Sequence, residues 1–217
     1  MDYREISNNS VIMTAGDSVT DCGRGRPYGT YRIGGLGNGY PQRLHEIITS
    51  IYPEKMIKFV NSGISGETSR QLREHWIADL EQVKPDYATI MIGVNDVWRN
   101  SDAYLDPEVG VHIDEYERNL RFVLDNSKQL KGLLLISPVF FELNKKDPFM
   151  IDIAECSAVC QKLAAEYHVG FCDIQPEIDR IISHVYTSTF SPDRVHPGAV
   201  AHFLIARAIL KYVNFQF

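Results

Sequence analysis

Apolar positions along this chain follow two alternating rhythms. Short, nearly unbroken apolar runs rich in β-branched residues occur at 11–15, 57–60, 87–92, 132–136 and 169–172. Continuous apolar character of that length is expected of parallel strands covered on both faces. Between them, apolar residues recur every three or four positions, predicting helices over 39–52, 67–83, 113–131, 150–167 and 197–212. The third helix carries Tyr116, Leu120, Val123 and Leu124 on one side, and the fourth Ile153, Cys156, Cys160, Leu163, Ala164 and Tyr167. The second stops ahead of Pro85, and Pro197 suits the first turn of the last.

Strand–helix alternation implies right-handed crossovers and a parallel sheet. The expectation is a three-layer α/β/α sandwich around a five-stranded parallel sheet. Residues 1–217 are read as one domain, because no repeat, low-complexity tract or linker interrupts them. The longest irregular stretches, 21–38, 100–111 and 184–193, each adjoin a motif described below. Loops of that size in a compact domain usually carry function.

Charge and cysteine usage narrow the partners. Lys plus Arg number 22 against 28 Asp plus Glu, a net charge of −6. The cations form no cluster, which weighs against nucleic acid or an anionic membrane. Residues 1–10 are polar and lack the apolar centre of a secretory leader, and no run approaches the roughly 20 residues that span a bilayer. Cys22, Cys156, Cys160 and Cys172 are scattered, as in a reduced, cytoplasmic protein. Cys156 and Cys160 lack further ligands at metal-site spacing and read as small buried side chains, so neither a metal nor a cofactor is expected.

Candidate chemistry sits where ligands bind open α/β sheets, beyond the carboxyl ends of strands. Ser18 follows the first strand in Gly16-Asp17-Ser18, a place for an exposed nucleophile whose own N–H can face an oxyanion. A helix cap is the ordinary alternative for a serine there. Gly63, in Asn61-Ser62-Gly63-Ile64-Ser65-Gly66, lets a backbone N–H approach a substrate, or serves a plain turn. Asn95, in Gly93-Val94-Asn95-Asp96, offers a side-chain amide to the same oxygen, or caps a turn. His196 lies three residues after Asp193, a spacing that can fold the carboxylate onto Nδ1 and leave Nε2 for a serine proton. Asp173 is the rival acid and reads as a turn residue. Asp17 and Trp98 are candidate substrate contacts, the indole stacking on a sugar or packing its loop. His45, His75, His112, His168, His184 and His202 lack evident partners. The glycine run 34–39 misses a dinucleotide fingerprint because Tyr40 takes its last glycine position.

In this order and at this spacing, the four motifs resemble those of the SGNH (GDSL-type) hydrolases. The resemblance implies a flavodoxin-like SGNH hydrolase fold, with Ser18 as nucleophile. It further implies Asp193 orienting His196, and Ser18, Gly63 and Asn95 forming the oxyanion hole. Gly16 to Arg24, Gly37-Asn38-Gly39-Tyr40, Gly93 to Arg99 and Asp147-Pro148 are similar to the cytoplasmic serine acetylxylan esterase branch. That branch implies a short-chain acyl esterase without metal, acting on acetylated xylo-oligosaccharides. Pro192 departs from it, standing where an aromatic residue is common. Two alternatives remain: a lysophospholipase or thioesterase, disfavoured by Arg24, Arg26 and Arg32 in the first loop, and a non-catalytic carbohydrate-binding module. The aromatic tail 212–217 is a candidate surface for homo-oligomers.

Overall fold

The computed structural model describes residues 6–32, 34–102 and 107–216. Parts of the first two long loops, and Phe217 of the aromatic tail, therefore lie outside the described residues. The strands are β1 (Val11–Gly16), β2 (Gly29–Thr30), β3 (Lys58–Asn61), β4 (Tyr87–Met91), β5 (Gly132–Ile136) and β6 (Gly170–Cys172). The helices are α1 (Ser18–Asp21), α2 (Tyr40–Ile51), α3 (Ser69–Val83), α4 (Val94–Asp102), α5 (Ile113–Asp125), α6 (Pro148–Tyr167), α7 (Gln175–Ile182) and α8 (Ala199–Tyr212).

The sheet runs β2-β3-β1-β4-β5-β6, parallel throughout except for β2, which pairs antiparallel with β3. All five expected strands are present. The sixth, β2, pairs through two residues in the loop after α1, too short to leave an apolar run in the sequence. Because β1 lies between β3 and β4, the chain winds outward from it in both directions. The carboxyl end of β1 is thus the switch point of the sheet, where a crevice opens. Ser18 stands there.

Alternate residues of each strand feed two cores. Ile12, Tyr87, Met91, Leu134 and Ile136 face α2, α7 and α8, meeting Tyr40, Leu44, Ile48, Ile178, Ile205 and Ile209. Met13, Ala15, Ala88, Ile90, Leu133 and Leu135 face α3, α5 and α6. The central strands β1, β4 and β5 are buried on both sides, which is why their apolar runs are continuous. Cys156 and Cys160 lie within the second core, and Cys160 Sγ is 3.1 Å from the Tyr116 hydroxyl. Val213 and Phe215 of the tail turn inward, Phe215 meeting Tyr52 edge-on at 5.4 Å. Neither side chain is available to a second copy. Among the described residues, no helix is long and apolar enough to cross a membrane.

Three helices lie outside the ranges the pattern predicted, the first being the four-residue α1. α4 follows directly on the Gly93 turn, and α7 is only eight residues long. α5 also ends earlier than its periodicity suggests. Asn126 Nδ2 donates to the Phe122 carbonyl at 2.7 Å and Ser127 Oγ to that of Val123 at 2.6 Å. These side chains compete with the helical ladder and close it.

Candidate active site

The site begins with the turn from β1 into α1. Asp17 caps that helix, its carboxylate accepting from the Val19 N–H at 2.9 Å. The cap directs the first turn outward and leaves Ser18 partly exposed at its start. Among the described residues, nothing accepts from the Ser18 N–H. Asp17 was expected at the substrate; it is instead 2% exposed, and burial raises its pKa to about 7 despite the Val19 bond.

Opposite Ser18 lies the segment Asp193 to Gly198. Arg194 takes a left-handed conformation (φ 69°), with its guanidinium on Glu142 (2.9 Å) and Asp147 (3.2 Å) and over the Phe140 ring. Val195 points into the core. With one side chain drawn outward and the next inward, Asp193 and His196 are brought together. His196 Nδ1 is 2.6 Å from Asp193 Oδ2, and Nε2 is 2.9 Å from Ser18 Oγ. Asp193 Oδ1 accepts the N–H groups of His196 at 2.8 Å and Val195 at 3.0 Å. Partial burial works to raise the Asp193 pKa, but these bonds outweigh it and lower it to about 2. The carboxylate is therefore ionised and acts only as an acceptor. Nδ1 then carries the proton, and Nε2 accepts from the Ser18 hydroxyl. Asp173, the rival acid, accepts instead from Ser137 Oγ and the Gln175 N–H, both at 3.1 Å.

Gly63 and Asn95 come from the next two strand ends. Gly63 is buried, and its N–H donates to Asn61 Oδ1 at 3.0 Å. The structure adds a steric reason for a glycine here. A Cβ there would lie 2.6 Å from the Asp21 nitrogen and 2.8 Å from Thr20 Cβ, against the helix that carries Ser18. Asn95, in the first turn of α4, donates one amide hydrogen to the Glu67 carbonyl at 2.9 Å. Its side chain has a second hydrogen to offer. Trp98, one turn on, packs partly against the α3–α5–α6 core, and its ring centre lies 6.1 Å from that of His196.

Three histidines expected to be partnerless are not, the first being His45, whose Nδ1 lies 3.1 Å from the Thr49 hydroxyl. His75 bridges Glu67 and Asp79, each at 2.9 Å. Burial opposes its charge, but bonds to both carboxylates prevail and raise its pKa to about 10. His202 accepts the Tyr40 N–H at Nδ1 and meets Cys22 Sγ at 3.3 Å through Nε2; burial lowers its pKa to about 4. Asp21 also escaped sequence reasoning. It is buried and binds Arg26 (2.7 Å) and both the N–H and hydroxyl of Ser65 (2.9 Å each), tying the end of α1 to the Gly63 turn. Arg24 is buried too and does not face the site mouth, which leaves Arg26 and Arg32 as the exposed cations of that loop. Long-range partners such as these leave no periodic trace in a sequence.

Comparison with known proteins places these features in context. The model of the GDSL-like lipase/acylhydrolase family matches residues 14–203, a span that includes all four motifs. The chain is 38% identical over 213 residues to an acetylxylan esterase of Geobacillus stearothermophilus, covering 98% of this chain and 97% of that one. A crystal structure of an acetylxylan esterase from the same organism superposes with a TM-score of 0.94 at 38% identity, over 98% of this chain and 97% of that one. An alpha/beta hydrolase enzyme from the metagenome of Lake Arreo, Spain, is 32% identical with a TM-score of 0.92, over 97% of each chain.

Proposed function

Since the chain belongs to the GDSL-like lipase/acylhydrolase family and is a carboxylic ester hydrolase, we propose that it deacetylates xylo-oligosaccharides through an acyl-enzyme on Ser18. The observation that supports this most is the continuous relay Ser18–His196–Asp193, with contacts of 2.9 and 2.6 Å. In this reading His196 Nε2 takes the Ser18 proton as Oγ attacks the acetyl carbonyl. The oxyanion is held by the N–H groups of Ser18 and Gly63 and by the second amide hydrogen of Asn95. His196 returns the proton to the departing sugar oxygen. Water, deprotonated in turn by His196, attacks the acetyl-enzyme; acetate leaves and Ser18 regains its proton. Asp193 faces the imidazolium formed in both halves. Every step is carried by groups of this chain.

The acetyl preference rests on similarity to the Geobacillus acetylxylan esterase. Trp98, beside the His196 ring, supplies a face on which a sugar stacks. All four thiols are free, which favours a cytoplasmic site of action, and residues 1–217 serve as one catalytic domain. The test is a series of p-nitrophenyl esters from acetate to decanoate, run beside acetate release from acetylated xylo-oligosaccharides. The expected result is highest kcat/KM on acetate and release from the sugar. A maximum at long chains, or no release, overturns the assignment.

A further inference from the structure

Arg24 takes no part in the steps above, yet it is the most completely enclosed cation near them. It is 6% exposed. Among the described residues, its guanidinium hydrogen bonds all go to backbone carbonyls. Nε binds the Gly63 carbonyl, Nη1 those of Gly25 (3.1 Å) and Pro27, and Nη2 that of Ser62 (3.3 Å). Arginine keeps its charge even when enclosed, and its rigid fork holds several acceptors in one geometry.

The Ser62 carbonyl and the Gly63 N–H are the two ends of one peptide unit. A cation on the oxygen fixes the plane of that unit and draws electron density from the nitrogen end, making the N–H a stronger donor. The flanking groups are held as well. Ser62 N–H donates to the Thr14 carbonyl and Ile64 N–H to that of Gly16, both at 2.9 Å along β1. The Gly63 N–H already has an acceptor in Asn61 Oδ1 at 3.0 Å. A substrate oxyanion must share that hydrogen, and a polarised donor is shared more readily.

We propose that Arg24 is a positioning residue for ester hydrolysis, its guanidinium orienting and polarising the Ser62–Gly63 peptide so that the Gly63 N–H receives the oxyanion. The proposal rests on the reading of Gly63 given above. Its effect is confined to the charge-developing step, so kcat carries it and KM does not.

Arg24→Lys keeps the charge and loses the fork, whereas Arg24→Met loses both. Each is measured for kcat and KM on p-nitrophenyl acetate, for Tm, and for inhibition by a small alkylboronic acid, which becomes a tetrahedral anion on the serine. Expected is a fall in kcat of about 10- to 100-fold in Arg24→Met with KM within about 2-fold, and a loss of boronate affinity of similar size. Arg24→Lys is expected to fall between Arg24→Met and wild type. Unchanged kcat overturns the proposal. So does a loss of activity that tracks Tm alone while boronate affinity is kept, or failure of both variants to fold, either of which assigns Arg24 to stability. A fluorophosphonate adduct mapped on the wild-type protein separates this from failure of the parent reading, which requires the label on Ser18.

Discussion

The two oxygens of Asp193 divide their work. Oδ2 holds the His196 ring and Oδ1 holds the backbone that carries it. Asparagine at 193 keeps one acceptor but sets an N–H₂ or a neutral oxygen against Nδ1, weakening control of the tautomer. Asp193→Asn is therefore expected to lower kcat by about 1,000- to 10,000-fold with little change in Tm, measured on p-nitrophenyl acetate. Asn95→Ala removes one donor and is expected to cost about 100- to 1000-fold in kcat. Gly63→Ala tests packing instead: its Cβ would press on the Thr20–Asp21 backbone, at 2.6 Å from the Asp21 nitrogen. We expect a loss of about 1–3 kcal/mol in urea denaturation together with a displaced Ser18. An unaltered midpoint would remove this account of the glycine.

At the scale of elements, side-chain hydrogen bonds settle where helices begin and end. Asp147 caps α6 through the N–H groups of Phe149 (3.0 Å) and Met150 (3.4 Å), while its other oxygen anchors Arg194. The Asp147-Pro148 pair thus connects a helix start to the turn bearing His196. Ser127, which closes α5, also accepts the indole N–H of Trp76 from α3 at 3.0 Å. Trp76 is fully buried. Ser127→Ala leaves that N–H without its partner, with an expected cost of about 1–3 kcal/mol read as a lower urea midpoint. The helices foreseen from periodicity were long and amphipathic. α4 and α7 are amphipathic but only 9 and 8 residues long, too few turns for a period to repeat along the chain, and α5 stopped where Asn126 and Ser127 intervened.

For the molecule as a whole, pH dependence follows from groups on separate elements. Asp21 and Asp193 have pKa values lowered to about 2. Their stabilisation is full above the unfolded carboxylate value of about 3.9 and is lost as pH falls towards 2. His75 has the opposite sign. Its pKa is raised to about 10, so its contribution is full below the unfolded value of about 6.5 and disappears as pH rises through 10. The network reaches Tyr28, whose hydroxyl donates to Asp79 at 2.8 Å, and so clasps the first loop to α3. Wild type and His75→Gln, compared by urea denaturation from pH 6.5 to 10, are expected to converge as pH rises. A constant difference would show that the imidazolium is not what holds the clasp.

Local order was legible in the chain itself. Strand burial on both faces requires unbroken apolar runs, helical faces require their three-to-four spacing, and the Ser18, Gly63, Asn95 and His196 motifs fall at the strand ends and helix mouths that such patterns predict. Tertiary structure alone decided what those motifs touch. The inward turn of Arg24 onto the Ser62 and Gly63 carbonyls, the pairing of His75 with Glu67 and Asp79, and the contact of Gly63 with α1 all join positions distant in sequence. Their energies depend on distance and burial in three dimensions, and residue spacing along the chain encodes neither.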